Sequence, residues 1–344
     1  MKSLLTKEEE QILLSIKIGS DNDPLHPEFP PDNPRFPATP TKKIEIPGFE
    51  NVFVKDDSVN PTGTHKDRMA WEIVCQYRNF LIAKKMGFVK GSLPQFSIIS
   101  SGNAAIALAY FLKKYSLPKP KILMDDNTPK KIVNYLKKQY CEIYITDLAK
   151  KPLNYEEILK LTNNPTGFDI TSNEALDPHT IFYDWMSFEI INQTPDFILV
   201  PFGTGSLYEN ICNVIKEEVW KVGKKDPRLK VDINKVRRCH IIGATVNRPN
   251  SKAYMLYSPH LPFTLFNAQW LNFYKKFGYI GEKSNVYIVS EEAIEEAFEL
   301  LNSQGINCEH SGASGLAYLL ENKNKLLKDK KYLVVNTGKG KWMN

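Results

Sequence analysis

Apolar positions along the chain form short continuous runs, and longer stretches with helical spacing lie between them. The short runs are bounded by turn-forming residues and predict buried strands at 51–55, 96–100, 121–124, 142–146, 197–201, 240–246, 285–289 and 332–336. The periodic stretches predict helices at 66–86, 104–114, 129–139, 181–191, 207–222, 291–304 and 316–321. Strands that alternate with helices favour right-handed crossovers, so the sequence predicts an α/β fold built on largely parallel sheets.

Three segments do not follow this alternation. Residues 1–18 have the spacing of a short amphipathic helix, and residues 19–41 are rich in Pro and Asp and are expected to be extended. Residues 247–284 are rich in Pro, Tyr, Phe and Asn, and we expect them to form loops beside the functional site.

The composition is that of a globular chain long enough for two domains, with 344 residues, 42% hydrophobic and 24% charged. Its net charge of +6 comes from scattered lysines, without the clustered basic patch and aromatic platforms of a nucleic-acid-binding protein. No apolar run approaches the roughly 20 residues of a membrane span, and no signal-peptide pattern is evident. Five widely spaced cysteines without a CxxC pair favour a reducing compartment. We therefore expect a cytoplasmic protein with no metal, membrane or nucleic-acid partner.

Three turns of small residues each follow a predicted strand and precede a predicted helix. They are Ser100-Ser-Gly-Asn103, Gly203-Thr-Gly-Ser206 and Ser311-Gly-Ala-Ser-Gly315. Ligands of open α/β sheets bind beyond the carboxyl ends of the strands. Small residues also let the amide groups of a helix start approach an anion. All three turns are therefore candidate ligand loops.

The second turn is the best match to a phosphate. Gly203 and Gly205 permit close approach of the backbone, and Thr204 and Ser206 add hydroxyl donors. The turn is neither a Walker A motif nor a GxGxxG dinucleotide fingerprint. An ordinary helix start can carry the same residues, so this turn alone leaves both interpretations open.

Two further loops offer polar groups. Ser100, Ser101 and Asn103 supply hydroxyl and amide groups suited to a carboxylate, although capping of the next helix explains them equally well. Thr337 ends the last predicted strand, just before Gly338-Lys-Gly340. Two interpretations are open: the Thr337 hydroxyl contacts a ring nitrogen, or Thr337 is part of an ordinary C-terminal turn.

Lys66 is the most unusual residue of the chain. It follows an Asn-Pro-Thr-Gly turn and opens a helix, whose N-terminal partial positive charge disfavours a cation. We interpret Lys66 as a reactive amine, held near a phosphate and condensed with an aldehyde. Asp67 suits the helix start, Arg68 is expected to pair locally, and His65 is either an acid–base group or a packing residue.

Taken in order, these motifs resemble the fold-type II pyridoxal-phosphate enzymes, the tryptophan synthase β-like superfamily. The motifs are Asn60-Pro-Thr-Gly-Thr-His-Lys-Asp-Arg68, Ser100-Ser-Gly-Asn-Ala-Ala105, Gly203-Thr-Gly-Ser206, Ser311-Gly-Ala-Ser-Gly315 and Thr337-Gly-Lys-Gly340. The resemblance covers about residues 36–340. Threonine synthase is the most similar member, because of the Ser-Ser-Gly-Asn-Ala-Ala loop and the Thr-Gly-Lys-Gly ending. The chain departs from the family at His65, where Phe or Tyr is usual.

The resemblance implies pyridoxal 5′-phosphate as the cofactor and gives the motif residues their roles. It implies a Schiff base at Lys66, a contact of Asn103 with the cofactor's 3′ oxygen and a contact of Thr337 with the pyridine nitrogen. It implies that the cofactor phosphate is bound by Gly203, Thr204, Gly205 and Ser206. The substrate carboxylate is expected at Ser100 and Ser101. A hydroxyl at the ring nitrogen suits elimination and replacement better than transamination.

The resemblance also implies two doubly wound, mostly parallel sheet domains, with the cofactor in the cleft between them. The larger, cofactor-binding domain is predicted at 1–50 plus 186–344. The smaller, mobile domain is predicted at 51–185 and carries Lys66 and the Asn103 loop. A small amino acid is the implied substrate, and a homodimer is the implied assembly.

The implied reaction is elimination or replacement on an amino acid, most like that of threonine synthase, which converts O-phosphohomoserine to threonine. A β-replacing enzyme similar to cysteine synthase and a serine/threonine deaminase are the alternatives. A pyridoxal-phosphate-binding protein without catalysis is an alternative of another class, which the intact Lys66, Asn103 and Thr337 disfavour.

Overall fold

The computed structural model describes residues 36–343 apart from 86, 89, 101, 172–180, 222, 224 and 258–267. The described strands are β1 (Thr41–Ile46), β2 (Phe49–Asp56), β3 (Phe96–Ile99), β4 (Lys121–Asp125), β5 (Glu142–Thr146), β6 (Phe168–Asp169), β7 (Phe197–Pro201), β8 (His240–Thr245), β9 (Asn285–Ile288) and β10 (Lys331–Asn336). The described α-helices are α1 (Lys66–Lys85), α2 (Asn103–Lys114), α3 (Lys130–Leu136), α4 (Tyr155–Leu161), α5 (Asp184–Ile191), α6 (Ser206–Trp220), α7 (Ala268–Lys276), α8 (Glu291–Ser303) and α9 (His310–Glu321). The predicted helix at 1–18 and most of the predicted extended segment at 19–41 lie outside the described residues.

The described chain divides into two compact units. Unit 1 comprises residues 36–37 and 66–171, and unit 2 comprises residues 38–65 and 181–343, within the described ranges. The predicted first boundary, between residues 50 and 51, differs from this division. Strand β2 pairs with β10 from Asn51 to Asp56, so residues 51–65 group with the sheet of unit 2.

Unit 1 is built on a four-stranded parallel sheet of order β5-β4-β3-β6. Its central strands β3 and β4 are almost entirely buried, which matches their continuous apolar runs. Helices α1 and α2 pack against each other in this unit. The carboxyl end of β3 leads into the loop that carries Ser100.

Unit 2 is built on a six-stranded sheet of order β1-β2-β10-β7-β8-β9. All neighbouring pairs are parallel except β1 and β2, which form an antiparallel hairpin at one edge. Strands β7 and β10 occupy the centre and are buried along nearly their whole length. The α/β fold with mostly parallel sheets is therefore confirmed in both units.

Helix α9 shows why small residues recur at 311–315. The sequence predicts a turn there, opening a helix at Leu316, but the helix already begins at His310. A Cβ added at Gly315 would lie 2.7 Å from the Leu199 carbonyl oxygen of β7, so glycine is needed for close packing of the helix on the sheet. The predicted ligand turn at 311–315 is thus the first part of a buried helix.

Four strands and α-helices of the structure were not anticipated. Strand β1 lies in the segment TKKIEI, whose alternating pattern with three charges is that of a half-exposed edge strand. Helix α4 and the two-residue strand β6 complete unit 1. Helix α7 lies inside residues 247–284, where the sequence predicts loops, so that prediction is wrong for 268–276.

Among the residues described, no helix is both long enough and apolar enough to cross a bilayer.

We predict that Gly315→Ala destabilises unit 2, because the added methyl group meets backbone atoms of β7 that cannot move aside without disturbing the sheet. The steric cost should outweigh the better helix propensity of alanine and leave a net loss of about 2 kcal/mol. Urea unfolding of the variant measures this loss. Glu296→Ala, at an exposed position of α8, is the control and should change stability by less than about 0.5 kcal/mol. Equal midpoints for the two variants would contradict the packing argument.

Candidate functional site

The candidate residues of unit 2 lie beyond the carboxyl ends of three adjacent parallel strands. Strand β10 pairs with β2 on one side and β7 on the other, so their carboxyl ends meet at one sheet edge. The segment 57–65 follows β2, Thr337 follows β10, and the turn 202–206 follows β7. Such an edge is where ligands bind in open α/β sheets.

The turn after β7 has the geometry of an anion site. Gly205 adopts φ +86° immediately before α6, a conformation that residues with a Cβ rarely adopt. The hydroxyl oxygens of Thr204 and Ser206 lie 3.0 Å apart. The first intrahelical bond runs from the Glu209 amide to the Gly205 carbonyl, so earlier amides of this 15-residue helix remain available to an anion.

Thr337 is buried at the end of β10, with 8% of its surface exposed. Its carbonyl oxygen accepts a hydrogen bond from the His65 amide at 3.1 Å. Within the described chain its side-chain hydroxyl has no hydrogen-bond partner. The hydroxyl oxygen is not one of the fully buried atoms that lack a partner, so it keeps some exposure and can reach a ligand atom.

The backbone before Lys66 pairs with the segment after β10. Thr64 and Gly338 form an antiparallel bridge, the Lys339 amide donates to Gly63, and the Lys341 amide donates to Thr62. A Cβ at Gly63 would lie 2.3 Å from the Lys339 carbonyl oxygen, and Gly63 has φ +91°. The two segments therefore approach as closely as backbone can.

A buried polar network holds the same segment from the other side. The Asn60 side-chain amide donates to Asp57 at 3.2 Å and to the Thr64 carbonyl at 3.1 Å, while the Asn60 carbonyl accepts from Gly63. Asp57 also accepts from the Thr39 hydroxyl, and both Asn60 and Asp57 are buried. These bonds fix the path of the turn that leads to Lys66.

His65 packs inside unit 2. Its ring lies 5.4 Å from the Tyr183 ring, tilted by 31°, and its Nδ1 is 3.4 Å from the Thr337 carbonyl oxygen. The ring therefore occupies a position where an aromatic side chain can also pack. Of the two interpretations of His65, packing has direct contacts in its favour.

Lys66 is the first residue of α1 in unit 1. Asp67 and Arg68, which follow it, are almost completely buried, at 0% and 1% exposure. The Arg68 guanidinium lies 5.3 Å from the Phe36 ring centroid, which gives it a local cation–π contact. Because Asp67 and Arg68 are both buried, the start of α1 is fixed, and the Lys66 backbone is fixed with it.

The Ser100 loop lies at the carboxyl end of β3, also in unit 1. Asn103 is the first residue of α2. The Ser100 hydroxyl accepts from the amides of Gly102 at 3.3 Å and Ala105 at 3.1 Å, so it caps this helix. Ser101 lies outside the described residues.

Sequence reasoning missed the residues that support the motifs. Asn336 and Asp57 are buried polar residues next to motif positions, and Tyr183 lies against His65. A polar residue that ends an apolar strand, as Asn336 does, is the one signal that could have been noticed.

The family model for pyridoxal-phosphate dependent enzymes matches residues 35–338, which is most of the chain. The chain belongs to the pyridoxal-phosphate-dependent enzyme family. Pyridoxal phosphate is accordingly its cofactor, and the protein is a pyridoxal-phosphate-dependent enzyme.

Three solved structures share the fold of this pyridoxal-phosphate-dependent enzyme. O-ureido-L-serine synthase is 16% identical, with a TM-score of 0.62 over 89% of this chain and 90% of that one. Diaminopropionate ammonia lyase from Escherichia coli is 16% identical, with a TM-score of 0.60 over 98% and 90%. An O-acetylserine-dependent cystathionine β-synthase from Helicobacter pylori is 15% identical, with a TM-score of 0.59 over 88% and 93%. No curated protein matches the sequence.

The residues of unit 2 fit the polar groups of the cofactor. The paired hydroxyls of Thr204 and Ser206 and the amides at the start of α6 are donors suited to a phosphate. The hydroxyl of Thr337, which has no partner in the described chain, is a group suited to a ring nitrogen. Both lie beyond the ends of adjacent strands, β7 and β10.

We predict that Gly63→Ala destabilises the protein by more than about 2 kcal/mol, because its φ is positive and its added methyl group would overlap the Lys339 carbonyl. Gly305→Ala is the matched control: φ is +74°, but no described atom lies within 4 Å of the added carbon. It should lose only about 1 kcal/mol from backbone strain. Urea unfolding compares the two, and equal losses would argue against the close approach of the two segments.

Proposed function

We propose that this enzyme is a lyase or synthase that performs elimination or replacement on an amino acid. The observation that carries the proposal is the hydroxyl of the buried residue Thr337 at the end of β10. Strand β10 lies beside β7, which ends in the turn suited to a phosphate. A hydroxyl does not stabilise a protonated ring nitrogen as a carboxylate would. The cofactor is then a weaker electron sink, which suits elimination and replacement better than transamination.

The remaining roles in this proposal follow the motifs. The turn Gly203, Thr204, Gly205 and Ser206 binds the cofactor phosphate, Asn103 binds its 3′ oxygen, and Lys66 is the amine that holds its aldehyde. When bound, pyridoxal phosphate supplies an aldehyde for amines and a conjugated ring that accepts electrons from the α-carbon. Ser100 and Ser101 bind the substrate carboxylate. The Ser100 hydroxyl keeps its proton for this purpose, because it uses only its oxygen to accept from the helix amides.

Lys66 is also the group that moves the α-proton of the substrate. A lysine released from its carbonyl partner is a primary amine, which can take a proton when it is neutral and return it afterwards. The rigid start of α1, with Asp67 and Arg68 buried, limits where the Lys66 stem can begin. Orientation of this kind contributes much of the rate of an enzymatic proton transfer.

The finer proposal is a threonine synthase reaction on O-phosphohomoserine, carried out by a homodimer. Its support is the Ser100-Ser-Gly-Asn-Ala-Ala105 loop and the Thr337-Gly-Lys-Gly340 ending, which are most similar to that enzyme. A second candidate is β-replacement or β-elimination on an O-activated serine or a related amino acid. Its support is the fold shared with O-ureido-L-serine synthase, an O-acetylserine-dependent cystathionine β-synthase and diaminopropionate ammonia lyase.

We predict that the purified protein binds pyridoxal phosphate with a visible absorption band, and that borohydride reduction attaches the cofactor to the peptide containing Lys66. Lys66→Ala should abolish this attachment because the amine is gone. Lys113→Ala, at an exposed position of α2, is the matched control and should keep both band and attachment. Attachment at another lysine, or none in the wild type, would refute the role of Lys66.

A substrate panel separates the candidate reactions. Phosphate release from O-phosphohomoserine with formation of threonine would select threonine synthase. Sulfide-dependent loss of O-acetylserine would select β-replacement, and oxoacid release from serine or threonine would select a deaminase. A protein that binds the cofactor but turns over none of these substrates would contradict all three. Lys66→Ala serves as the background in each assay.

A further inference from the structure

We propose that Asn336 is a positioning residue for the cofactor site. Its side chain holds the Thr337 turn and, through that turn, the backbone that ends at His65, the residue before Lys66. The inference rests on the proposed function, because it takes Thr337 and Lys66 as cofactor contacts. The inference extends the proposed function by naming the residue that fixes the backbone of Thr337 and of the segment before Lys66.

Asn336 joins three segments of unit 2. It is completely buried, and its register partner across the sheet is Asp56. Its Nδ2 donates to Asp56 Oδ1 and to the Asn307 carbonyl, each at 3.0 Å, and its Oδ1 accepts from the Gly338 amide at 2.9 Å. Both amide protons and the carbonyl oxygen of the side chain are therefore bonded.

The chemistry of these partners requires an amide at position 336. Asp56 and Asn307 both present acceptors, and Gly338 presents a donor. An aspartate would lose both donors and place a second carboxylate beside the buried Asp56. A serine is too short to reach all three groups. Asparagine is the side chain of this size that satisfies them together.

The Gly338 end of this arrangement continues into the lysine segment. Gly338 forms the bridge with Thr64, and the His65 amide donates to the Thr337 carbonyl at 3.1 Å. A Cβ at Gly338 would lie 2.0 Å from the Gly63 carbonyl oxygen, so the two segments are in close backbone contact. Whatever fixes the Gly338 amide also fixes the backbone at His65.

The start of helix α9 lies against Asn336 and Gly338. A Cβ added at Gly312 would lie 2.8 Å from Asn336 Oδ1 and 2.9 Å from the Gly338 carbonyl oxygen. The Glu309 amide, just before the helix, donates to that same carbonyl at 3.2 Å. Nearby, burial and the acidic neighbours Glu309 and Asp56 raise the pKa of Cys308 to about 12, so this thiol stays neutral. Glycine at position 312 therefore leaves room for the Asn336 side chain and the Gly338 backbone in their observed positions.

The test compares Asn336→Ser with Asn164→Ser. Asn164 is also buried and also donates twice from Nδ2, to the Gln95 carbonyl and to Ser97 Oγ. It belongs to unit 1, however, where it follows α4 and contacts the amino end of β3. Two quantities are measured on each full-length variant. One is the dissociation constant of pyridoxal phosphate from absorbance titration of the cofactor-free protein. The other is hydrogen exchange of peptides covering 60–68 and 337–342.

We expect both variants to melt at lower temperature, because each loses buried hydrogen bonds. Only Asn336→Ser should weaken cofactor binding, by about tenfold or more, since misplaced contact groups lose most of their effect. Only Asn336→Ser should speed exchange in both peptides. Cofactor affinity and exchange equal to those of Asn164→Ser would show that Asn336 has a merely structural role and would overturn the proposal.

Gly312→Ala tests the same point if Asn336→Ser does not fold. Its methyl group would press on Asn336 and Gly338 without removing a hydrogen-bonding group. Faster exchange in both peptides and weaker cofactor binding support the proposal, and unchanged values oppose it. A wild type that binds no cofactor would end the proposed function, whereas the exchange of 60–68 and 337–342 would still report on Asn336 separately.

Discussion

The parallel pairing of β10 with both β2 and β7 is the constraint on which the site in unit 2 depends. Since parallel strands end at the same edge, three loops that are far apart in sequence meet there. Each loop then contributes a different kind of group: a helix start after β7, the hydroxyl of a buried threonine after β10, and the segment leading to Lys66 after β2. A shift of one strand by one residue would separate them, because side chains alternate between faces.

Carboxylates in β2, after it and against it have fixed partners. Asp56 pairs with Lys42 at 2.9 Å, and Glu189 pairs with Lys55 at 2.5 Å. Asp57 accepts hydrogen bonds from Thr39 and Asn60. These contacts hold the negative charges in fixed positions close to donors or cations, which limits their repulsion of an incoming anion. The Asp57 contact with Asn60 also holds the turn before Lys66, because Asn60 bonds in addition to the Thr64 carbonyl.

The parts that the sequence predicts well are those whose signal is local. Continuous apolar runs such as 197–201 and 332–336 identify central parallel strands, and the glycines of 203–206 identify a tight helix start. Local signals fail where a residue serves a distant partner. The glycines at 311–315 suggest a turn, but they allow α9 to pack on β7, and strand β1 carries too many charges to be recognised without its partner. Strand β2 likewise reveals its unit only through β10.

Asn336 illustrates why supporting residues escape a motif search although the motif depends on them. Its bond to Asp56 spans 280 positions of the chain and its bond to Asn307 spans 29, whereas its bond to Gly338 is local, over two residues. No spacing rule connects Asn336 with Asp56 and Asn307, because the fold alone brings them together. Thr337 and Lys66 can be recognised from neighbouring residues, but their backbone is fixed by groups that sequence alone would assign to ordinary turns. Thr337 and the segment that leads to Lys66 therefore depend on a shared piece of backbone, and its rigidity is a property of the whole sheet edge.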